Sequence, residues 1–262
     1  NDKLYLLSCG ADHISVSYNY KKRNRYSILD PLFEGKVSEQ NFSGVLKYLK
    51  PEYKDHHEFV YRLIDGVMAS DLDYHIPLIG HPKYKGLLPN PVNIEKLDYQ
   101  PPSIEDRIII FHGINRSNYF KKGSDYFEEA LEKIKKKYND RIIINVVENL
   151  PYEEYIECYD RAHIILDQVL GYDQGYNALE AMAKGKVVFT GAEIEFVEHY
   201  QLKDTVAINA LPDSNQIYAE LERLILNPDI IVEIGKNARW FIEEEHDFTT
   251  IANSYVKVYS SD

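Results

Sequence analysis

Short apolar runs alternate with longer stretches of helical periodicity through the second half of the chain. The stretch from Ser124 to Tyr138 places apolar side chains three and four positions apart, as in a helix with one buried face. On either side of it and beyond, five β-branched runs predict buried strands: RIIIFH (107–112), RIIINVV (141–147), AHIIL (162–166), KVVFT (186–190) and VAINA (206–210). This alternation indicates βαβ units, and a doubly wound α/β domain with a parallel sheet accounts for it.

Helix signals fill the gaps between these runs. Pro151 and the acidic residues after it predict a helix start, and a helix of about ten residues is expected to end near Gly185. From Ser214 onward the pattern predicts three helices, interrupted at Asn227–Pro228 and at an acidic turn over residues 243–247. These helices would cover the faces of the predicted sheet.

The first hundred residues are less regular. They predict one strand (residues 4–8) and two helical stretches (residues 42–49 and 58–69), which do not make a complete sheet. Four prolines in residues 86–102 then favour an extended connection. We therefore expect a partial N-terminal domain with its linker in residues 1–90, a Rossmann-like domain in 91–246, and a C-terminal helix in 247–262 that packs back towards the N-terminal portion.

Composition narrows the class of protein. A formal net charge of -12 argues against a nucleic-acid partner, and the 2 cysteines lie far apart, which suggests neither a disulfide framework nor a thiolate metal site. No run approaches the ~20 apolar residues needed to span a bilayer. We expect a cytoplasmic protein and leave open a peripheral contact at the inner face of the membrane.

Two loops after predicted strands carry candidate binding chemistry. In HGINRSNYFKKGSD, Arg116 and Lys122 follow a strand, where cations could meet a diphosphate. In DQVLGYDQGYNALEAMAKG, Gly175 begins a helix whose unpaired N–H groups could bind phosphate, and Glu180 could accept two ribose hydroxyls. By pattern alone, a solvated basic loop and a surface glutamate are the commoner explanations of these residues.

Three segments, in order along the chain, resemble retaining GT-B glycosyltransferases of the group 1, family 4-like kind. GYNALEAMAKGKVVFTG is similar to their donor-site segment, HGINRSNYFKKGSDYFEEAL to their Gly-x-x-Arg…Lys-Gly segment, and LLPNPVN to their interdomain linker. More weakly, SCGAD looks like the His-Gly-x-Asp segment of the other domain. The resemblance implies a GT-B fold: a doubly wound Rossmann-like domain for the donor, and here a smaller N-terminal Rossmann-like portion that is incomplete.

The resemblance also implies roles for individual residues. Arg116 and Lys122 would hold the donor diphosphate, and Glu180 would bind the ribose. The other implied donor-binding residues are Gly113, Gln174, Gly175, Tyr176 and Asn177, the glycine and tyrosine at 175 and 176 acting through backbone amides. Asp173 is the catalytic candidate. The family's chemistry needs no metal and retains the anomeric configuration.

Three departures from the family pattern matter. Tyr172 takes the place of the glutamate that faces the donor sugar, so that role would pass to Asp173, and Cys9 takes the place of the histidine in His-Gly-x-Asp. Only about ninety residues precede the linker, fewer than a full acceptor domain of this fold needs. The chain is therefore expected to lack an N-terminal segment or to act with a partner subunit.

We expect a metal-independent enzyme that transfers a hexose from a nucleoside diphosphate sugar, of UDP or GDP type, to a glycan or lipid-linked acceptor in polysaccharide assembly. The alternative is a nucleotide-sugar-binding module or inactive partner subunit, and a weaker one is a nucleotide-sugar epimerase. No other cofactor is expected. The motifs GxxxxGK[ST] and GxGxxG after a strand do not occur, so P-loop hydrolysis and dinucleotide oxidoreduction are unsupported.

Overall fold

The computed structural model describes residues 3–260, which form two compact units. The small unit comprises Asn1–Pro91 and Phe248–Asp262, and the large unit comprises Val92–Asp247. The division lies one residue from each boundary of the sequence analysis. Among residues 3–260, no helix is both long and apolar enough to cross a membrane.

The small unit contains a three-stranded parallel sheet in the order β1-β2-β3. Its elements are β1 (Tyr5–Ser8), α1 (His13–Tyr20), α2 (Asp30–Phe33), α3 (Ser43–Leu46), α4 (Pro51–Leu63), β2 (Gly66–Ala69), α5 (Leu72–Leu78), β3 (Tyr84–Leu87) and α12 (Phe248–Ser260). Val67 and Ala69 of β2 lie in a core with Ile64 and Leu78. The ring of Tyr259 in α12 lies 5.1 Å from that of Tyr5.

The prediction of a helix over residues 58–69 is wrong in its second half. The helix ends at Leu63, and Gly66–Ala69 is a fully buried strand. A short apolar run without periodicity is compatible with a helix or a strand, and here pairing with the neighbouring strands β1 and β3 makes it a strand. Glycine fits at position 66 because a Cβ there would lie 2.7 Å from Cγ of Lys85 in the neighbouring strand β3. The sequence analysis also missed β3, so the N-terminal portion has more sheet than expected.

The large unit contains a five-stranded parallel sheet in the order β5-β4-β6-β7-β8. Its strands are β4 (Ile108–Ile114), β5 (Ile142–Glu148), β6 (Ile164–Leu166), β7 (Val187–Thr190) and β8 (Ile208–Asn209). Its helices are α6 (Ser124–Tyr138), α7 (Tyr152–Asp160), α8 (Tyr176–Ala183), α9 (Ile194–His199), α10 (Ser214–Leu226) and α11 (Pro228–Glu245). All five predicted strands are confirmed, and the fold class is the α/β class expected.

The helices predicted from periodicity in this unit bury the apolar faces that the spacing indicates. Phe127, Ala130, Leu131 and Ile134 line the buried face of α6, as the spacing predicts. Pro151 lies directly before α7, and the three predicted C-terminal helices are α10, α11 and α12. One predicted boundary is wrong: the strand predicted over residues 107–112 continues through Gly113, which is paired with Val147. The ladder continues two pairs beyond His112, to Gly113 with Val147 and Ile114 with Glu148.

Candidate functional site

The candidate site lies at the carboxyl edge of the large unit's sheet, where the loops after β4, β5 and β6 meet. Parallel strands deliver their carboxyl ends to one edge, and ligands of open α/β sheets bind there. The loop after β4 carries Arg116 and Lys122, β5 ends at Glu148, and β6 is followed by Asp167. Hydrogen bonds join the loop after β4 to Glu148 and to Asp167, and join Asp167 to the start of α8.

Lys122 is held by a buried carboxylate. Its Nζ lies 2.8 Å from Oδ1 of Asp167, whose side chain is 1% exposed while that of Lys122 is 36% exposed. Nδ2 of Asn177, in the first turn of α8, donates to the same oxygen at 3.0 Å. The hydroxyl of Tyr155 donates to Oδ1 of Asn177 at 3.2 Å, and burial raises the pKa of this tyrosine to about 12. The predicted diphosphate ligand Lys122 and the predicted donor-binding residue Asn177 are thus brought together.

The backbone around Lys122 is fixed against the loop after β6. The amide of Val169 donates to the carbonyl of Lys122 at 2.8 Å. Gly123, which precedes α6, has φ +68, and a Cβ there would lie 2.6 Å from Cβ of the buried Val169. Glycine is therefore required both by the left-handed backbone and by the close approach of the two loops.

Arg116 makes a different kind of contact. Its guanidinium donates to both carboxylate oxygens of Glu148, and Nε lies 2.9 Å from Oε2. The two side chains are 54% and 34% exposed. The hydrogen bond from Arg116 lowers the pKa of the Glu148 carboxyl below its ordinary value. Arg116 also lies 4.8 Å from the centre of the Tyr119 ring.

The N-terminus of α8 is open. Gly175 precedes the helix with extended backbone, and a Cβ at this position would meet no atom within 4 Å. Among residues 3–260, no side-chain hydrogen bond caps this end of the helix, and the Ala178 amide donates to the Gly175 carbonyl at 3.0 Å. The side chain of Tyr176 is 51% exposed, and Glu180, one turn further along, is also exposed. This arrangement leaves room for an anion and a hydroxyl-bearing group.

Asp173 and Gln174 are buried in the loop before α8. The carboxylate of Asp173 accepts from the amide of Gln174 at 2.8 Å, and Nε2 of Gln174 donates to the carbonyl of Gly191 at 2.6 Å. Tyr172, in the place of the family's glutamate, is 2% exposed. The loop therefore packs tightly, and the carboxylate of Asp173 accepts from the backbone of the next residue.

Residues of two segments singled out in the sequence, HGINR and SCGAD, make packing and capping contacts that the sequence alone did not indicate. A Cβ on Gly113 would lie 2.8 Å from the Tyr155 ring, so this glycine serves packing between β4 and α7. His112 is buried, and its ring contacts Leu166 O through Nδ1 at 3.0 Å. In the small unit, Asp12 of the SCGAD segment caps α1, accepting from the Ser15 amide at 2.7 Å.

The residue that the sequence analysis overlooked is Asp167. The available signal was its position, because an acidic residue directly after a strand lies at the carboxyl edge beside the basic loop. Within residues 3–260, no group of three or more His, Cys, Asp or Glu side chains is arranged to hold a metal ion. The site as described consists of two cations, their carboxylate partners and an open helix N-terminus.

Comparison with known proteins defines the class. The family model described as glycosyl transferase-like matches residues 118–257, slightly more than half of the chain. The chain belongs to this glycosyl transferase-like family. A search of curated proteins found no match to it.

Solved structures agree on the fold. TarM of S. aureus, in complex with fondaparinux, alpha-GlcNAc-glycerol and UDP, is 16% identical with a TM-score of 0.61 over 81% of this chain and 48% of TarM. Sucrose-phosphate synthase of Thermosynechococcus elongatus is 16% identical, with a TM-score of 0.62 over 97% of this chain and 66% of that one. Anabaena HepE, in complex with UDP and glucose, is 14% identical, with a TM-score of 0.57 over 77% and 64%.

These likenesses identify the GT-B fold. The chain spans less than two thirds of the length of each of the three proteins.

Proposed function

We propose that the chain is the donor-binding part of a glycosyltransferase that transfers a hexose from a nucleoside diphosphate sugar, of UDP or GDP type, to a glycan or lipid-linked acceptor. The observation that carries the proposal is the meeting of Lys122, Asn177 and the uncapped start of α8 at one edge of the sheet, with Arg116 on the neighbouring loop. Cations and helix N–H groups are the groups that bind a diphosphate. Family membership and the UDP complexes of TarM and HepE support it.

In this proposal Lys122 and Arg116 bind the diphosphate, the amides of Gly175 and Tyr176 and the side chain of Asn177 bind phosphate oxygens, and Glu180 binds the ribose. The same groups would stabilise the departing nucleoside diphosphate as its charge develops, which needs no metal. Transfer with retention follows from the family resemblance. Asp173 is proposed as the carboxylate near the donor sugar, and Gln174 as its neighbour at the same subsite.

Arg116 must leave Glu148 to reach a diphosphate. Its side chain is exposed, and exposed ion pairs contribute only about 0–1 kcal/mol, so a bidentate contact with phosphate can replace the contact with Glu148. Lys122 does not need to move in this way, because it stays partly exposed while paired with Asp167. The two cations would therefore contribute differently to binding.

The test is calorimetric titration of the chain with UDP, GDP and ADP. We expect one nucleotide to bind in the micromolar range, and the Lys122→Ala and Arg116→Ala, Glu180→Ala variants to bind it at least about tenfold more weakly, as the loss of charged hydrogen bonds predicts. Arg223→Ala is the matched control, since Arg223 is paired with Glu220 at 2.8 Å on α10, away from the site. Failure of all three nucleotides to bind the wild-type chain would remove the proposal.

The alternative is a module that binds the nucleotide sugar without transferring it. The buried Tyr172 in place of the family's glutamate favours it, because a residue 2% exposed presents no carboxylate to the donor sugar. Product analysis separates the possibilities. Glycoside formed with an acceptor indicates transfer, an interconverted donor sugar indicates an epimerase, and an intact donor after tight binding indicates the module.

A further inference from the structure

Asp167 is a buried carboxylate at the edge of the candidate site. Its side chain is 1% exposed, and its Oδ1 lies 2.8 Å from Nζ of Lys122. Its partners are Lys122, from the loop before α6, and Asn177, from α8. A buried charge is costly unless it is paired, so the pairing fixes the positions of these two side chains as well.

One oxygen makes both of these contacts. Oδ1 of Asp167 accepts from Lys122 and Asn177, whereas Oδ2 is buried without a hydrogen-bond partner among residues 3–260. A carboxylate kept only for folding would be expected to satisfy both oxygens, because an unpaired buried acceptor lowers stability. Oδ2 of Asp167 is therefore a buried acceptor at the edge of the candidate site that the described part of the chain leaves unsatisfied.

Lysine needs such an anchor more than arginine does. Its ammonium is a point charge on a flexible four-carbon stem, and fixing that stem costs conformational entropy each time a ligand binds. Here the Lys122 backbone is already tied to Val169 by a 2.8 Å hydrogen bond, and Asp167 fixes the far end of the side chain. The cation is therefore pre-positioned before any ligand arrives.

We infer that Asp167 is a positioning residue that holds Lys122 and Asn177 in place for a diphosphate. The inference deepens the proposed function and rests on its assignment of Lys122 and Asn177 to the diphosphate. Asp167 has two opposite effects on diphosphate binding. Its negative charge repels the anion, whereas its hydrogen bond to Lys122 holds the lysine where it attracts the anion. The two effects can be separated, because direct repulsion does not require Lys122 and positioning does.

A double-mutant cycle makes this separation with inorganic pyrophosphate as the probe. Calorimetry would compare the wild type, Asp167→Asn, Lys122→Ala and the double variant. We expect Asp167→Asn to weaken binding at least about fivefold more when Lys122 is present than when it is alanine, since repulsion cancels in the cycle. Equal effects in both backgrounds, or no binding of pyrophosphate to the wild type, would overturn the inference.

Asp160→Asn is the control, because Asp160 pairs with a lysine, Lys184, outside the site, with the burial reversed: the lysine is 14% and the carboxylate 33% exposed. It should leave pyrophosphate affinity unchanged. If Asp167→Asn does not fold, as judged by thermal unfolding, Lys122→Arg replaces it. This variant keeps the charge and changes its position, so we expect about fivefold weaker binding, and wild-type affinity would contradict positioning.

Parallel titration with UDP, GDP and ADP keeps the two proposals apart. Pyrophosphate binding with the expected coupling, but no binding of any nucleotide, supports the positioning role and removes the nucleotide-sugar function. Nucleotide binding without coupling supports the function and removes the positioning role.

Discussion

Two ion pairs join the loop after β4 to its two neighbouring strands, and they differ in environment. Lys122 pairs with Asp167 after β6, and that carboxylate is 1% exposed. Arg116 pairs with Glu148 at the end of β5, where both side chains face solvent. The same combination of cation and carboxylate thus occurs once in a buried network and once at the surface.

The difference in burial predicts a difference in behaviour. A buried carboxylate keeps its partners because losing one leaves an uncompensated charge, which costs about 3–5 kcal/mol. An exposed pair is worth about 0–1 kcal/mol and exchanges readily for another partner. One half of the site is therefore fixed before a ligand binds, whereas the other half must rearrange.

The largest expected effect concerns the close approach that supports the fixed half. Gly123→Ala would place a methyl group 2.6 Å from Cβ of the buried Val169, at a φ of +68. We expect a loss of about 3 kcal/mol in the free energy of unfolding, from backbone strain together with overpacking. Urea denaturation of the variant and the wild type measures this loss.

The control for Gly123→Ala is a glycine with free space around it. Gly175→Ala adds a methyl group that meets nothing within 4 Å, at a negative φ. It should change the free energy of unfolding by less than about 1 kcal/mol. Equal losses in the two variants would show that the approach of the two loops does not limit stability.

Gly175→Ala should nevertheless impair ligand binding, which gives the second largest effect. If the phosphate binds at the start of α8, it would lie in the open space beside Gly175. A methyl group there would hold the phosphate away from the helix N–H groups. We expect about tenfold weaker pyrophosphate binding by calorimetry, as for the loss of charge-assisted hydrogen bonds. Unchanged affinity with an intact fold would place the anion elsewhere.

The contrast between periodic segments and the site shows what the sequence could predict. The five strands and α6 follow from β-branched runs and from the spacing of residues such as Phe127 and Ile134, because these signals are local. The buried strand Gly66–Ala69 was assigned to a helix, since a short apolar run has no period and its sheet partners are distant in sequence. A local pattern carries no information about strand partners that are distant along the chain.

The site was predictable only in part for the same reason. Arg116, Lys122 and Asn177 are in recognisable segments, and the structure places all three at the carboxyl edge. The partner that fixes Lys122 is 45 residues away along the chain, and no spacing rule connects them. Asp173, in contrast, was expected to face a ligand and is buried with its carboxylate on a backbone amide.

The exposed pair provides a third, smaller test. Glu148→Gln removes the charge that holds Arg116 and leaves the guanidinium available to an anion. We expect pyrophosphate affinity to rise about threefold, within the range of an exposed ion pair. Asp167→Asn should act in the opposite direction when Lys122 is present. Glu220→Gln, which breaks a comparable exposed pair with Arg223, serves as the control and should leave affinity unchanged.

The smallest effect concerns protonation of His112, which lies in β4, the strand before the loop that carries both cations. Burial lowers the pKa of His112 below its ordinary value, and Nδ1 is bonded to the Leu166 carbonyl. The unfolded chain therefore binds a proton at a higher pH than the folded chain does. As the pH falls through the ordinary histidine pKa of about 6.5, the unfolded state gains this proton first and the folded state loses stability.

His112→Asn removes this contribution while its amide can still donate to the Leu166 carbonyl. The variant should be less stable at neutral pH, because it leaves space around Phe127, whose ring lies 5.3 Å from the imidazole. It should lose less of its remaining stability between about pH 7.5 and about pH 5.5, on either side of that ordinary pKa. Urea denaturation of the variant and of the wild type at both pH values measures how much stability each loses as the pH falls. Equal losses of stability in the variant and the wild type would mean that His112 takes up its proton without unfolding, and that water reaches this part of β4.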